Sequence, residues 1–336
     1  MYRLVISLSA CFLLCASCRG GEQTSGGADN AQATAVTPEA SRRLPENIQV
    51  TVARGDGWLG TYVATWKGFR TESYWLEGPD GLILIDTQFL PSAGIEAVEL
   101  AESLTGKKVV AAFALHANPD KFNGTTALQA RGIKVYTSAQ VLALIPSVHK
   151  LRHGWFYDRY KPDYPNEAPR PESFGSETRT MQVAGVELKV HVLGPGCSEA
   201  HTVIEYQGHV FVGDLVASLG HSWLELGLLD EWLERLDEIA ALKPEYVHPG
   251  RGPSGGDELL VRQRQYLERV QAYVAAEKPS KDTPEKDKEA AIERIIGKLK
   301  SDYPGYPFGN FIAIGLPEVW DRYAARAAEP AAPGAE

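Results

Sequence analysis

Cysteine is scarce in the body of this sequence. Of the four cysteines among 336 residues, three stand at positions 11, 15 and 18, and only Cys197 lies further along the chain. One body cysteine excludes an internal disulfide framework. Long apolar runs are equally scarce. After the first residues no stretch approaches 18 uninterrupted apolar residues, so no second membrane span is expected.

Positive charge is also in short supply. The chain has 34 Lys and Arg against 43 Asp and Glu, a net charge of −9, and no basic stripe. This balance argues against a nucleic-acid-binding protein. The hydrophobic content of 44% is ordinary for a globular protein, and the length allows one large domain or two small ones.

The N-terminus carries an export signal. The basic MYR is followed by the apolar LVISLSACFLLCAS, which predicts a secretory signal peptide over residues 1–17. Cys18 follows two small residues, an arrangement that resembles the lipobox of bacterial lipoproteins. The resemblance implies cleavage before Cys18, a lipid on its thiol, and anchoring in the cell envelope facing the periplasm. A plain signal peptide without lipid is the alternative.

The rest of the chain divides by composition. Residues 18–46 are rich in small and polar residues and predict a disordered tether, whereas residues 47–277 alternate between strand-rich and helical segments. A loop rich in proline and tyrosine is expected at 155–176 and could roof a cavity. Residues 278–326 are expected to form a charged linker and a C-terminal helical extension, with the last amphipathic helix at 285–302. Residues 327–336 are expected to fray.

Residues 109–124, VVAAFALHANPDKFNG, form the most informative motif. A buried strand ends at Leu115, and a tight loop then presents imidazole, amide, carboxylate and ammonium groups from His116, Asn118, Asp120 and Lys121. The loop resembles the H-x-H-x-D-H loop of the metallo-β-lactamase superfamily, with Asn118 and Lys121 where two of the histidines belong.

Four further segments match that superfamily in the expected order. They are LIDT at 84–87, GPGCSEAHT at 194–202, VFVGDLV at 210–216 and VHPGRG at 247–252. The combined resemblance implies an α/β protein with an αββα sandwich, two β-sheets flanked by helices. It also implies a metal site between the sheets, with His116, His201 and Asp214 as ligands and Asp86 orienting the ligand loop.

Three positions depart from the ligand pattern. Asn118 is at best a weak oxygen donor, and a protonated Lys121 or Arg251 cannot coordinate a cation. The two positive charges equal those of one divalent ion, so we predict that they neutralise Asp120 and Asp214 in place of a second metal. Cys197 is expected near the cavity, at a position where the family has no ligand. His248 and His221 are candidates to replace a ligand or donate to the substrate, and the alternative for each is a histidine at the surface or just behind the ligands.

Three functions remain open at this stage. The first is a hydrolase with one zinc ion acting on an ester, lactone, lactam or phosphoester of an anionic small molecule. There Asp120 would orient the attacking water, and Lys121 and Arg251 would hold the anionic group. The second is a metal-free pseudoenzyme that binds an anionic ligand. The third is a mononuclear iron oxygenase, because persulfide dioxygenases of this superfamily use the positions of His116, His201 and Asp214 for iron.

Overall fold

The computed structural model describes residues 49–52 and 58–328 of the chain. The expected signal peptide, the tether with Cys18 and all but two residues of the C-terminal tail lie outside the described residues. Within them, none of the helices has the length and apolar character that crossing a membrane requires.

The first sheet has seven strands in chain order. They are β1 (Gln49–Val52), β2 (Leu59–Val63), β3 (Glu72–Gly78), β4 (Gly81–Ile85), β5 (Val109–Phe113), β6 (Lys134–Thr137) and β7 (Glu172–Ser173). Strands β1 to β4 pair antiparallel, whereas β4 to β7 pair parallel. Parallel neighbours require crossover connections, which the helices between β4 and β7 supply.

The second sheet is built from the C-terminal half of the sandwich. Its strands are β8 (Arg179–Val183), β9 (Val186–Leu193), β10 (His201–Tyr206), β11 (His209–Ala217) and β12 (Tyr246–Arg251), in the order β12-β11-β10-β9-β8. Only β11 and β12 pair parallel in this sheet. Both sheets are therefore mixed.

The helices lie outside the sheets. They are α1 (Pro91–Thr105), α2 (Pro119–Phe122), α3 (Thr125–Ala130), α4 (Ala139–Tyr160), α5 (Leu229–Ala241), α6 (Glu258–Ala276), α7 (Glu285–Asp302) and α8 (Gly309–Ala327). The predicted αββα sandwich, two sheets flanked by helices, is thereby confirmed.

Strand β4 shows how the sequence builds these layers. Leu82 and Leu84 pack with the apolar face of α1, whereas Ile83 and Ile85 pack between the two sheets. All four side chains are fully buried because successive residues of a strand point to opposite faces, each covered by another layer.

Two helical segments differ from the sequence-based expectation. Helix α4 was expected to end near residue 150 but continues through Pro146 to Tyr160. Its last turns are held by edge-to-face contacts of Phe156 and Tyr160 with Phe89, 5.2 and 5.1 Å between ring centres, which local sequence does not reveal.

Helix α8 was not predicted, since the helix at 285–302 was taken as the last. Gly309 at its start and Pro317 inside it obscure the helical pattern. Its buried face, which includes Phe311, Leu316 and Trp320, forms only through packing on the rest of the domain.

The two sheets meet at the ends of β5 and β10. Just past β5, His116 forms an isolated antiparallel bridge with His201, the first residue of β10. The Thr202 amide donates a hydrogen bond of 2.6 Å to the Leu115 carbonyl. This junction fixes the position of both histidines through backbone contacts.

Candidate metal centre and charge cluster

Five strands bring polar side chains to this junction, four of them at or just beyond an end and β11 from within its length. Asp86 follows β4, His116 follows β5, His201 begins β10, Asp214 lies within β11, and Arg251 ends β12. All five residues are buried. The structure thus brings together the residues that the sequence motifs singled out, although not all in one contact group.

The first group is a cluster of carboxylates around Lys121. The Lys121 ammonium, whose side chain is 0% exposed, lies 3.0 Å from Asp120 Oδ2, 2.9 Å from Asp214 Oδ1 and 3.6 Å from Asp86 Oδ2. Helix α2 begins directly after Asn118, and it turns Asp120 and Lys121 inwards together. Lys121 therefore serves three carboxylates at once.

Arg251 completes the charge cluster from the opposite strand. Its guanidinium lies 2.7 Å from Asp120 Oδ2 and forms a second ion pair with Asp214 Oδ2, while its Nε donates to the Phe69 carbonyl at 3.1 Å. The rings of Phe308 and Phe311 lie 5.8 and 5.5 Å from it. Asp120 and Asp214 are thus each paired with both cations.

The cluster sets the protonation of its members. Burial alone would raise the pKa of Asp214, but the charges of Arg251 and Lys121 hold it well below its ordinary value. The same two cations also outweigh burial at Asp120 and lower its pKa. At Asp86, burial outweighs the charge of Lys121 and raises the pKa to about 6. Asp120 and Asp214 therefore stay ionised at neutral pH.

The second group consists of two imidazoles and a thiol. One ligand atom each from His116, Cys197 and His201 lies within 4.8 Å of the others, and all three residues are buried. The Cys197 sulfur is 3.8 Å from His201 Nε2. Gly196 makes this approach possible, because a side chain there would meet His201 Nε2 at 3.3 Å and Leu215 at 2.7 Å.

The donor atoms of this group fit a metal ion. His116 Nδ1 hydrogen-bonds the Ser198 hydroxyl at 2.8 Å, and His201 Nε2, the nitrogen beside Cys197, accepts a hydrogen bond of 3.2 Å from the Ser198 amide. Within the described chain the other nitrogen of each ring, His116 Nε2 and His201 Nδ1, has no hydrogen-bond partner. Burial lowers the pKa of His201, so its imidazole is neutral as a ligand must be, but it raises the pKa of the Cys197 thiol, which would have to release its proton when a metal binds. Two nitrogens and one sulfur are a donor set typical of zinc. Drawing the three atoms to the separations of a tetrahedral site requires shifts of about 1 Å.

The motif comparison implied that Asp214 is a metal ligand and Asn118 a weak one, but in the structure both residues have other surroundings. Asp214 Oδ2 is 3.7 Å from His116 Nε2, and both of its oxygens are engaged by Lys121 and Arg251. Asn118 is half-buried and lines the cavities above the site. The ligand set His116, His201 and Asp214 stays a prediction, to be weighed against the set that contains Cys197.

His248 and His221 lie in other surroundings. His248 Nε2 contacts His209 Nδ1 at 2.9 Å, its Nδ1 contacts the Ser254 hydroxyl at 2.8 Å, and its ring stacks on Phe211. His221 Nδ1 contacts the Tyr266 hydroxyl at 3.0 Å. Burial lowers the pKa of His248 to about 3 and that of His221 to about 4. Neither histidine belongs to the group of His116 and His201.

Two cavities open onto the junction. One of about 210 Å³ has Asn118, Asp120 and Arg251 in its lining, together with side chains from α4 and α8. A smaller one of about 60 Å³ has Asn118, Cys197 and Ser198 in its lining. Asn118 borders both cavities, and the thiol of the buried group borders the smaller one.

Comparison with known proteins agrees with this architecture. A model of the metallo-beta-lactamase superfamily matches residues 66–251, more than half of the chain. The protein therefore belongs to the metallo-beta-lactamase superfamily, as the motifs predicted. No curated protein matches it in sequence.

Several solved structures share its fold. A metallo-beta-lactamase from Pontibacter korlensis is 21% identical with a TM-score of 0.53, covering 66% of this chain and 99% of its own. FIM-1 from Pseudomonas aeruginosa, in its mono-zinc form, is 22% identical with a TM-score of 0.53, covering 67% and 98%. TMB-1 is 19% identical with a TM-score of 0.53, covering 68% and 100%. At these identities the likeness concerns the fold alone.

Sequence reasoning missed part of the site. Cys197 was expected near the cavity without a ligand role, although a lone body cysteine four residues before a predicted ligand is a usable signal. The contributions of Arg152, Arg159 and α8 to the larger cavity carried no sequence signal, because they depend on how distant helices pack.

Proposed function

We propose that the protein is a metallo-hydrolase with one zinc ion held by His116, Cys197 and His201. The observation that carries the proposal is the buried group of two imidazoles and a thiol, in which one nitrogen of each imidazole lacks a hydrogen-bond partner within the described chain. Two cations occupy the neighbouring carboxylates, which leaves no free ligand set for a second ion there. A single-metal centre is the arrangement that both observations support.

The surrounding residues have separate tasks in this proposal. Zinc would supply a water nucleophile at neutral pH and polarise a carbonyl or phosphoryl oxygen. Asp120, ionised and at the cavity wall, accepts hydrogen bonds and so orients a water molecule. The Asn118 amide donates to a substrate oxygen between the two cavities. Arg251 lends positive charge to the cavity, whereas Lys121 acts through Asp120 and Asp214.

Elemental analysis of the purified full-length chain tests the centre. We expect about one zinc per chain and almost none in His116→Ala, because a lost ligand empties a three-residue site. His153→Ala, which removes an imidazole outside the site, should keep its zinc. Two ions per chain would contradict the charge-replacement argument. An empty protein, even after refolding with zinc or iron, would exclude a metallo-hydrolase.

The third ligand is tested separately. With cobalt in place of zinc, a bound thiolate gives a sulfur-to-metal charge-transfer absorption band. The band should be present in wild type, absent in Cys197→Ser and retained in Asp214→Asn. If Cys197→Ser binds metal as tightly as wild type and Asp214→Asn does not, the motif-based set with Asp214 is the correct one.

Two alternatives are distinguished by the same measurements. A metal-free pseudoenzyme is favoured by the complete pairing of Asp120 and Asp214 with Lys121 and Arg251, since no metal is needed to neutralise them. An iron oxygenase would use a carboxylate with the two histidines. The engagement of both Asp214 oxygens and the nearby sulfur favour zinc over that site.

We also propose that the protein is exported and anchored to the bacterial cell envelope by a lipid on Cys18, facing the periplasm. The support is the apolar N-terminal segment followed by two small residues and a cysteine. Cys18→Ala should move the protein from the membrane fraction to the soluble fraction of fractionated cells. Cys15→Ala should stay with the membranes. A processed Cys18→Ala protein that still sediments with membranes would refute lipid anchoring at this residue.

A further inference from the structure

The larger cavity has walls made largely of aromatic rings. Its volume is about 210 Å³, below the range of pockets that hold drug-sized molecules. The rings that line it are Phe69, Phe89, Trp155, Phe156, Trp223 and Phe311. They come from the loop after β2, the loop after β4, helix α4, the loop after β11 and helix α8. Such walls fit a flat molecule of one or two rings.

Of the three arginines that line the cavity, one has no acidic partner among the described residues. Arg152 is bound by both oxygens of Glu225, and Arg251 is bound by Asp120 and Asp214. Arg159 is exposed, and among residues 58–328 no carboxylate lies within ion-pair distance of it. Its guanidinium lies over the Tyr160 ring, 5.3 Å from the ring centre. Arg159 is therefore the cation available to a ligand.

Arg152, which is paired with Glu225, instead positions two of the aromatic rings, those of Trp155 and Trp223. Its guanidinium lies 4.2 Å from the Trp155 ring centre and 5.2 Å from that of Trp223. Glu225 also accepts a hydrogen bond of 3.0 Å from the Trp223 indole nitrogen. These contacts orient Trp155 and Trp223 before a ligand arrives, which lowers the entropic cost of binding.

We propose that this cavity takes a one- or two-ring aromatic acid, with its rings between the aromatic walls and its carboxylate on Arg159. The proposal rests on the function proposed above and deepens it: the aromatic acid is the part of the substrate that the cavity recognises, and the ester, lactone, lactam or phosphoester bond to be hydrolysed belongs to a group attached to it. Asn118 and Asn310 also line the cavity and offer amide groups to the polar part of the molecule. Because Asn310 and Phe311 belong to α8, the C-terminal extension takes part in substrate selection.

Titration calorimetry with simple probes tests the substrate class without requiring turnover. The full-length chain is titrated with 2-naphthoate, with neutral 2-naphthylmethanol and with cyclohexanecarboxylate. We expect 2-naphthoate to bind most tightly, because only this probe offers both flat rings and a negative charge. Equal affinity for the alcohol would overturn the role of charge, and equal affinity for the cyclohexane acid would overturn the role of the rings.

Variants assign the two contributions to residues. Arg159→Gln should weaken 2-naphthoate about tenfold and leave 2-naphthylmethanol unchanged, because one charge-assisted hydrogen-bonding partner is lost. Arg131→Gln, which removes an arginine from another surface, should change neither affinity. Phe311→Ala should weaken both ring probes. If Arg159→Gln binds all three probes like wild type, the assignment of the carboxylate to Arg159 is wrong.

Titrating EDTA-treated protein with the same probes shows whether binding needs a metal. Together with the metal content of the untreated chain, it separates this inference from the proposed function. Selective, Arg159-dependent binding of 2-naphthoate by a chain that takes up no metal would refute the metallo-hydrolase and leave the ligand class standing. One zinc per chain without preference for 2-naphthoate would refute the ligand class and leave the metal centre standing.

Discussion

Replacing Lys121 with methionine is expected to lower the free energy of unfolding by about 3–5 kcal/mol at pH 7. Methionine nearly preserves the side-chain length, so the main loss is the charge. The ammonium is fully buried and lies within 3.6 Å of oxygens from Asp86, Asp120 and Asp214. Its removal leaves Arg251 alone to compensate these carboxylates. Urea unfolding followed by circular dichroism measures the effect.

Lys107→Met supplies the matched control. The Lys107 side chain is 35% exposed and pairs with Glu77 at 2.9 Å on the surface. Exposed pairs contribute at most about 1 kcal/mol, so this variant should unfold close to wild type. If Lys121→Met and Lys107→Met lower the free energy of unfolding equally, the buried ion pairs of Lys121 contribute no more to stability than a surface pair.

The pH dependence distinguishes lost charge from lost packing. In the wild type, the pKa values of Asp120 and Asp214 are lowered by the two cations, so their stabilisation is present above the unfolded value of about 3.9. This stabilisation is lost only as the pH falls through the pKa values of Asp120 and Asp214 in the folded protein, which are lower still. Without Lys121 the folded pKa values rise, and protonation relieves the uncompensated charge in mild acid. The stability gap between wild type and Lys121→Met should therefore narrow from pH 7 to pH 5. A constant gap would indicate a packing defect.

The convergence of the polar residues was predictable because strand ends carry most of them. Apolar strands that run into a carboxylate or an imidazole are recognisable at Asp86 and His116, and the parallel pairing of β4 with β5 brings these two ends together. Asp214 stands out as a carboxylate within the apolar strand β11 of the other sheet. The superfamily resemblance placed Lys121 and Arg251 at metal-ligand positions, and charge counting then predicted that they would neutralise Asp120 and Asp214. In these cases motif position and simple electrostatics suffice.

The details that depend on distant packing were not predictable. Cys197 faces the two imidazoles because the 194–200 loop folds over Gly196, which leaves space only for hydrogen there. Helix α8 closes the larger cavity with Phe311, yet Gly309 and Pro317 give its sequence little helical character. Both features were settled by contacts between segments far apart in the chain, for which single-sequence patterns carry no information.

Changing both Lys121 and Arg251 to histidine is expected to convert the charge cluster into a second metal site. Both cations contact Asp120 Oδ2 and one oxygen each of Asp214, so imidazoles at these two positions face the same carboxylates. Two neutral imidazoles and two carboxylates form a ligand set for a divalent ion. The ion would restore the two positive charges that the substitutions remove.

The double variant should therefore depend on zinc for its stability far more than wild type does. Its metal content should rise from about one to about two ions per chain, and added zinc should raise its melting temperature by more than it raises that of wild type. The gain should exceed the sum of those of Lys121→His and Arg251→His, because both imidazoles serve one ion. Lys107→His combined with Arg131→His, on the surface, should bind no additional zinc and show no such gain. If the buried double variant binds at most one ion and its effects are additive, Lys121 and Arg251 do not stand where a second metal would, and their pairing with Asp120 and Asp214 has another origin.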